Sequence, residues 1–245
     1  MKATIFRLPE TKSTNSYATE MLLKDRPKEG CVIITDYQTQ GKGTDANTWE
    51  SEKEKNLTFS LILYPDFPAD QQFVINKAIS LGIYDFLRNM LPDYKISIKW
   101  PNDLYIGDKK VCGILIQNSV IGNKLDSMVV GIGLNVNQTV FTGNAPNPVS
   151  LKMTSGIEYK LEDLLHKLLN SIFERYTNIR SESTQKIETD YKRALYRLME
   201  WHQYLFKDIK VQARINGSNV YGQLELETKE GDTLTCDLKE VKFVI

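Results

Sequence analysis

The chain has 245 residues, 41% hydrophobic and 10% aromatic, a composition that suits a buried core and excludes disordered and fibrous proteins. Lysine plus arginine and aspartate plus glutamate both number 31, so the net charge is zero and the overall electrostatic attraction expected of a nucleic-acid-binding protein is missing. The N-terminus has no signal-peptide pattern and no window of about 18 apolar residues occurs, so we expect a cytoplasmic protein.

The first predicted elements are a strand over ATIFRL and, after the polar run PETKSTNS, a helix. The apolar stripe of this helix holds Tyr17, Met21 and Leu22, and its first turn is capped by Ser13, Thr14 or Asn15. Two strand-like runs, CVIITDYQ and LTFSLILYP, then flank the polar segment QTQGKGTDANTWESEKEKN. We therefore predict a loop between two strands that becomes ordered only when it is needed for binding.

The run QQFVINKAISLGIYDFLRNML predicts a helix with one buried face. Three β runs joined by tight turns follow it: YKISIKWP, LYIGDKKVCGILIQNS and KLDSMVVGIGLNVN. A leucine stripe from Leu161 to Phe173 predicts a second long helix, with helical structure continuing, with breaks, to about Trp201. From Tyr204 short strands alternate with glycine-containing turns. The pattern therefore predicts an α+β domain over residues 1–200 and a small all-β domain over 201–245.

One lysine stands in an unusual place. Strict alternation puts Lys110 on the same face as Cys112, Ile114 and Ile116, where a packed sheet disfavours a charge. A functional cation is one interpretation. The alternative is a lysine that snorkels to solvent at a strand end, beside the Gly107-Asp108 turn.

The cysteines and histidines do not form a recognisable catalytic or metal pattern. Cys31, Cys112 and Cys236 stand singly in apolar runs without a CxxC pair, which indicates buried structural thiols. The two histidines, His166 and His202, lie in late helical segments and we expect structural or surface roles for them. We therefore expect neither a transition-metal centre nor a Ser-His-Asp or Cys-His site.

Two glycine-containing motifs resemble nucleotide-binding loops but fail in detail. QGKGT lacks both the first glycine and the final Ser or Thr of a P-loop, because those positions hold Asp36 and Gly43. GIGLNV lacks the third glycine of a dinucleotide-binding fingerprint, which would fall at Val136. Its paired glycines indicate either a close approach of the backbone to a ligand or a β-bulge.

Five motifs follow one another along the chain: Ser13-Thr14-Asn15, Gln38-Thr39-x-Gly41-Lys42-Gly43 ending in Trp49, Lys99-Trp100-Pro101-Asn102-Asp103, Lys110-x-x-Gly113-Ile114-Leu115 and Gly131-x-Gly133-x-Asn135. In this order they resemble the motif set of biotin–protein ligases, monofunctional type. The C-terminal strands resemble the SH3-like domain of that family. The resemblance implies a mixed β-sheet with flanking helices, followed by a small SH3-like β-barrel.

The resemblance also implies an activity. Enzymes of this family join biotin to ATP, which gives biotinoyl-5′-AMP and pyrophosphate, and then transfer the acyl group to one lysine of a biotin carboxyl carrier domain. Mg²⁺ accompanies ATP, and no prosthetic group is expected. A carboxylate that attacks an α-phosphate needs a cation touching both groups, and exclusion of water strengthens that cation.

The implied site residues fall into three groups. The biotin contacts are Ser13, Thr14, Asn15, Gln38, Gly41, Lys110, Gly113, Ile114 and Gly131. The ATP contacts are Lys42, Trp49, Lys99, Asn102 and Asn135, with Trp49 and Asn135 holding adenine. The catalytic residues are Lys110, Asp103 and Lys42, and Asp103 either binds Mg²⁺ or attracts the acceptor amine. A helix cap for Ser13 to Asn15 and core packing for Trp49 are the structural alternatives.

The glycine loop departs from the family. Where relatives commonly read GRGRxGRxW, this chain has one base between Gly41 and Trp49, so we expect weaker retention of the acyl-adenylate.

A lipoate or octanoate attachment enzyme and an inactive binding module remain alternatives. Too few residues precede ETKSTN for a winged helix-turn-helix, so we expect no direct operator binding. An edge strand near KWPND could pair with a carrier or with a second copy in a homodimer.

Overall fold

The fold is taken from a computed structural model, which describes residues 1–43, 47–143, 145, 147–179 and 184–244. Thr44, Asp45 and Ala46, on which part of the arginine-poor loop prediction depends, lie outside the described residues. Positions 144 and 146 of the Asn- and Pro-rich loop also lie outside them, as do 180–183 of the predicted helical continuation.

The larger sheet has seven strands in the order β1-β2-β3-β7-β6-β5-β4. The strands are β1 (Thr4–Leu8), β2 (Cys31–Thr35), β3 (Leu57–Leu63), β4 (Ile96–Lys99), β5 (Asp103–Ile106), β6 (Lys109–Ile121) and β7 (Lys124–Leu134). Strand β1 pairs with β2 in parallel, and the other neighbours are antiparallel. The predicted mixed sheet is therefore confirmed, and β2 and β3 are buried along their whole lengths, as central strands covered on both faces must be.

Helices cover this sheet. They are α1 (Thr14–Lys24), α2 (Gln72–Met90), α3 (Leu151–Ser155), α4 (Leu161–Asn178) and α5 (Thr184–Ala194), with a short 3₁₀ turn at Ala69–Gln71. The apolar stripes predicted for α2 and α4 are the faces that these helices bury. The two helices approach closely at Gly82, where an added Cβ would lie 2.6 Å from the Cα of Ile172. No helix in the described part of the chain is long and apolar enough to cross a membrane.

A second, antiparallel sheet follows the helices, with the strand order β11-β10-β9-β8-β12. Its strands are β8 (Trp201–Phe206), β9 (Ile209–Ser218), β10 (Leu224–Thr228), β11 (Thr233–Cys236) and β12 (Val241–Phe243). Tyr204 and Ile215 belong to the same hydrophobic core as α2 and α4. The indole N–H of Trp100 donates to the carbonyl of Gly222, 2.9 Å away, and joins the two sheets.

A buried ammonium lies where α2 meets α5 and the loop that follows β9. The Lys77 side chain on α2 is fully buried, pairs with Glu188 of α5 and lies 3.5 Å from the carbonyl oxygen of Asn219. Its Nζ is 5.0 Å from the ring centre of Phe73 and 5.3 Å from that of Tyr191. Burial lowers the pKa of Lys77, and the Glu188 carboxylate opposes that shift.

Two predictions about the elements are wrong. Tyr17 is exposed, and α1 buries Thr14, Asn15 and Ala18 instead, because it turns its polar first turn toward the sheet. The last helix ends at Ala194, and β8 begins at Trp201, where helical structure was expected to end. Beside the KWPND motif, the carbonyl of Ile98 on β4 accepts the N–H of Tyr196 at 2.9 Å, while pairing of this edge with a carrier or a second copy stays a prediction.

The predicted face of Lys110 is also wrong. Leu104 pairs with Cys112 and Tyr105 pairs with Lys110, so Val111 is an extra residue, a β-bulge. The bulge ends the alternation on which the prediction depended. Cys112 faces the core, whereas the Lys110 side chain lies beside Gly113 on the opposite face.

The predicted places of the cysteines and of His166 agree with the structure, whereas His202 lies on strand β8 and not in a helical segment. Cys31, Cys112 and Cys236 are buried free thiols, which confirms the prediction made for them. His166 lies at the surface beside Glu162, and His202 lies beside Glu200. Burial raises the pKa of all three thiols and so disfavours the reactive thiolate.

Candidate functional site

On one face of the larger sheet, three neighbouring positions carry no side chain because they are glycines. We call them the glycine floor: Gly113 on β6, with Gly131 and Gly133 on β7. Gly113 pairs with Gly133 across the two strands. A Cβ added at Gly131 would lie 2.2 Å from Asn15 Oδ1, and one added at Gly133 would lie 2.3 Å from Trp49 Cε2. The glycine floor is therefore covered by an amide at one end and by an indole at the other.

Neutral hydrogen-bonding groups surround the Gly131 end of the floor. The backbone N–H of Thr14 donates to Gln38 Oε1 at 2.8 Å. The Ser60 hydroxyl oxygen lies 2.6 Å from Asn15 Oδ1 and 2.8 Å from Thr14 Oγ1, and the Asn15 amide donates to the carbonyl of Leu115 at 3.1 Å. Thr14, Asn15 and Ser60 are all buried. We call these three residues, together with Gln38, the polar cluster: Thr14, Asn15, Ser60 and Gln38.

The local fold explains why these residues meet. Ser13 is the N-cap of α1 in an extended conformation, and its side chain makes no capping bond. Thr14 and Asn15 therefore lie in the first turn, which rests on the sheet. The segment before α1 runs beside the segment after β2, where the N–H of Thr39 donates to the carbonyl of Thr11 at 3.0 Å. This pairing places Gln38 next to Thr14.

A charged pair lies beside Gly113. Lys110 Nζ is 2.7 Å from Asp103 Oδ2, and both side chains are about a quarter to a third exposed, at 30% and 26%. The same ammonium lies 5.9 Å from the centre of the Trp49 ring. The backbone of Lys110 is held by the chain that follows β7, since its N–H donates to Asn147 and its carbonyl accepts from Val149. The β-bulge thus directs a cation onto the floor.

Trp49 lies over Gly133 and Gly113 because its backbone is held at Gly41. The Trp49 N–H donates to the carbonyl of Gly41 at 3.0 Å, and a Cβ added at Gly41 would lie 2.3 Å from the Trp49 carbonyl oxygen. Only glycine permits this approach. The indole Nε1 and the hydroxyl of Thr58, which pairs with Gly133, are buried and have no hydrogen-bond partner among the described residues. Unpaired buried donors such as these indicate a place for a ligand.

The cavity above the floor brings most of the predicted site residues together. Its volume is ≈ 60 Å³. The predicted residues that line it are Ser13, Thr14, Asn15, Gln38, Lys42, Trp49, Asp103, Lys110, Gly113, Ile114 and Gly131. Gly41 does not line it but supports Trp49. The Lys42 ammonium is 3.2 Å from the hydroxyl of Ser16 on α1 and so lies toward the cavity mouth.

Three predicted nucleotide contacts are absent from the cavity lining. Lys99 Nζ lies 5.5 Å from the ring centre of Tyr105 and 5.0 Å from that of Phe243. Burial lowers the pKa of Lys99, Asp103 opposes the shift, and Lys110 and Arg197 add to it. The amide of Asn102 donates to Asn76 Oδ1 on α2 at 3.1 Å.

The third absent residue, Asn135, retains a free acceptor. Its Nδ2 donates to the carbonyl of Val149 at 3.1 Å. Its Oδ1 is buried and has no partner in the described part of the chain. Asn135 lies directly after β7, two residues beyond Gly133, and so follows the Gly133 end of the glycine floor along the chain.

Sequence reasoning missed Ser60 and Thr58. Both stand on β3, two residues apart, and they pair with Gly131 and Gly133. The signal was present, because LTFSLIL places two hydroxyls on one face of an otherwise apolar strand. Leu115, whose carbonyl accepts the Asn15 amide, could not be found from its side chain.

Comparisons with known proteins identify the family and the fold. The family model described as "Biotin/lipoate A/B protein ligase family" matches residues 8–135. A "Bifunctional ligase/repressor BirA" of Bacillus spizizenii is 27% identical over 234 residues, covering 89% of this chain and 68% of that protein. A "Biotin--[acetyl-CoA-carboxylase] ligase" of Paracoccus denitrificans is 29% identical over 174 residues, covering 69% of this chain and 71% of that protein.

A solved structure is similar along the whole chain. It is described as "Biotin protein ligase from Aquifex aeolicus in complex with biotin and ATP". It superimposes with a TM-score of 0.81 at 26% identity, and the match covers 98% of each chain.

Proposed function

Because the chain belongs to the biotin/lipoate A/B protein ligase family, we propose that it is an ATP-dependent biotin–protein ligase. It activates biotin as biotinoyl-5′-AMP and then transfers the acyl group to a lysine of a biotin carboxyl carrier domain. The similarity to a ligase solved with both biotin and ATP supports this activity.

One observation carries the choice of biotin: the polar cluster is neutral, is buried except for the half-buried Gln38, and lies on the same glycine floor as a charged pair. The ureido ring of biotin has two N–H donors and one carbonyl acceptor and no charge, so it can pair with hydroxyl and amide groups. The dithiolane ring of lipoate and the alkyl chain of octanoate have neither an N–H donor nor a carbonyl acceptor, so they gain no hydrogen bond from these groups. The polar cluster therefore favours biotin over the other acids of the family.

Lys110 is our proposed catalytic cation for the first step. A biotin carboxylate oxygen attacks the α-phosphorus of ATP, a new P–O bond forms, and pyrophosphate leaves. Both reactants are negatively charged, so an ammonium beside Gly113 lowers their repulsion as they approach. Asp103 holds that ammonium in place at 2.7 Å before substrates bind.

Asp103 is our proposed residue for the second step. The amine of the acceptor lysine attacks the acyl carbon, an amide bond forms, and AMP leaves. A carboxylate at this position attracts the incoming ammonium and can accept its proton. Asp103 also fits Mg²⁺, since this ion binds through one or two carboxylates together with phosphate oxygens and water.

The remaining assignments stay predictions. Trp49 and Asn135 are the proposed adenine contacts, and the free Oδ1 of Asn135 is an acceptor suited to an adenine amino group. Lys99 and Asn102 require side-chain rearrangement to reach a nucleotide. The domain boundary near residue 200, the carrier, a homodimer, a cytoplasmic location and the absence of nucleic-acid binding are likewise proposals.

Pyrophosphate exchange into ATP tests the function directly. The assay supplies biotin, lipoate or octanoate as the acid, and Lys110→Ala is the negative control. Exchange with biotin alone supports the proposal. Exchange with lipoate or octanoate alone contradicts it, and no exchange with any acid indicates an inactive binding module.

A further inference from the structure

Glu50, the residue after Trp49, is held by an unusual set of bonds for a loop carboxylate. Its Oε1 accepts the N–H of Thr142 at 2.9 Å and lies 3.2 Å from the Thr142 hydroxyl. Its Oε2 accepts the N–H of Gly143 at 2.7 Å. Both oxygens therefore serve the same turn of the segment that follows β7.

Gln138 adds further hydrogen bonds between the segment after Trp49 and the segment after β7. Its Oε1 accepts the side-chain amide of Asn56 at 2.6 Å and the backbone N–H of Glu52 at 2.9 Å. Its Nε2 donates to the carbonyl of Val140 at 2.8 Å. Gln138 is almost fully buried, so these bonds are shielded from water. We call Glu50, Gln138, Thr142 and Gly143 the Glu50 clamp.

The Glu50 clamp and Gly41 hold Trp49 from two sides. On one side the Trp49 N–H donates to Gly41, and on the other its peptide bond leads directly to the clamped Glu50. Between these two points the indole is fixed over Gly133. Glu50 itself does not line the cavity, so it touches no substrate there.

We propose that Glu50 is a positioning residue that fixes Trp49 over the glycine floor and so sets the affinity for ATP. The inference rests on the proposed function only in taking the Trp49 ring as the adenine contact. A ring held in place before the nucleotide arrives loses less conformational entropy on binding. Without the clamp, the entropy cost of ordering that ring is subtracted from the binding free energy of ATP.

The charge of Glu50 matters as well as its shape. Burial raises the pKa of this carboxyl, but the bonds from Thr142 and Gly143 outweigh that effect and lower it below its ordinary value of 4.5. The carboxylate is thus charged at neutral pH. Glutamine has the same shape, but its NH₂ group must face one of the two backbone N–H donors. Glu50→Gln therefore breaks the clamp with little change in volume.

The test compares Glu50→Gln with Glu52→Gln, a matched change at an exposed carboxylate two residues away. We measure KM for ATP by pyrophosphate exchange at saturating biotin, Kd for biotin by calorimetry, and thermal unfolding. For Glu50→Gln we expect KM for ATP to rise roughly tenfold, because charge-assisted bonds are lost, with Kd for biotin within about twofold. Glu52→Gln should match the wild type in both.

A second readout does not depend on activity. The fluorescence of Trp49 is obtained by subtracting the emission spectrum of the Trp49→Phe counterpart from that of each protein. This difference spectrum should change in Glu50→Gln but not in Glu52→Gln. If Glu50→Gln does not fold, Thr142→Val removes one bond to Oε1 and should raise KM for ATP about two- to threefold.

Some results would overturn the positioning role. An equal loss of biotin and ATP affinity would indicate a general structural role for Glu50. An unchanged KM and unchanged Trp49 fluorescence would show that Trp49 does not depend on it. Wild-type protein that exchanges no pyrophosphate with biotin refutes the proposed function instead, while the fluorescence comparison still decides the positioning role.

Discussion

Gly131→Ala tests whether the covered glycine floor is the biotin site. The new methyl group would lie 2.2 Å from Asn15 Oδ1 and 2.8 Å from its Cγ, so the Asn15 side chain must move. Two contacts of Asn15 are then lost, the one to Ser60 at 2.6 Å and the one to Leu115 at 3.1 Å. At about 0.5–1.5 kcal/mol each, they amount to roughly 1–3 kcal/mol.

The expected result is a biotin Kd about 5- to 150-fold higher, measured by titration calorimetry. Both contacts also stabilise the folded chain, so the free energy of unfolding should fall by roughly 1–3 kcal/mol, less the about 0.5–1 kcal/mol that alanine gains over glycine in a strand, and thermal unfolding measures that loss separately. Gly133→Ala is the matched comparison, since its methyl group would meet Trp49 at 2.3 Å instead. That variant should weaken ATP more than biotin. Tight biotin binding by Gly131→Ala, or equal biotin loss in both variants, would refute the reasoning.

Three further substitutions separate the roles of the charged pair and the polar cluster. Lys110→Ala should nearly abolish adenylate formation, measured by pyrophosphate exchange, while circular dichroism still shows cooperative unfolding; full activity would return Lys110 to a structural role. Asp103→Ala should lower single-turnover transfer to the carrier more than biotin binding measured by calorimetry, and an equal loss in both would count against its role in transfer. Ser60→Ala should weaken biotin binding about 2- to 12-fold, because Asn15 Oδ1 loses a hydrogen bond of about 0.5–1.5 kcal/mol, and unaltered Kd would exclude Ser60 from the site.

Periodicity was sufficient to predict most of the elements. The buried faces of α2 and α4 follow from apolar residues repeating every three or four positions, and the long apolar strands follow from their composition. The predictions fail where tertiary contacts override local pattern. The first turn of α1 is polar yet buried, because the sheet supplies hydrogen-bond partners that the sequence does not reveal.

The candidate site was predictable only in part for similar reasons. Motif resemblance selected residues that now line one cavity, Lys110, Asp103 and Gly113 among them. It could not foresee the β-bulge at Val111, since one extra residue reverses the face of Lys110 without any signal of its own. Ser60 escaped notice because a hydroxyl within a buried strand is informative only when its cross-strand neighbour, Gly131, is known.

The buried Lys77 bears on how the chain unfolds. Its ammonium contacts Glu188 of α5 and the carbonyl of Asn219, so it loses the second of these partners if the C-terminal strands separate from α2. Leaving that charge buried and half-paired is costly, as is leaving the Trp100 N–H without Gly222. Thermal denaturation should therefore be a single two-state transition with equal calorimetric and van't Hoff enthalpies. A fragment cut near residue 200 would be insoluble or partly molten rather than a smaller folded protein.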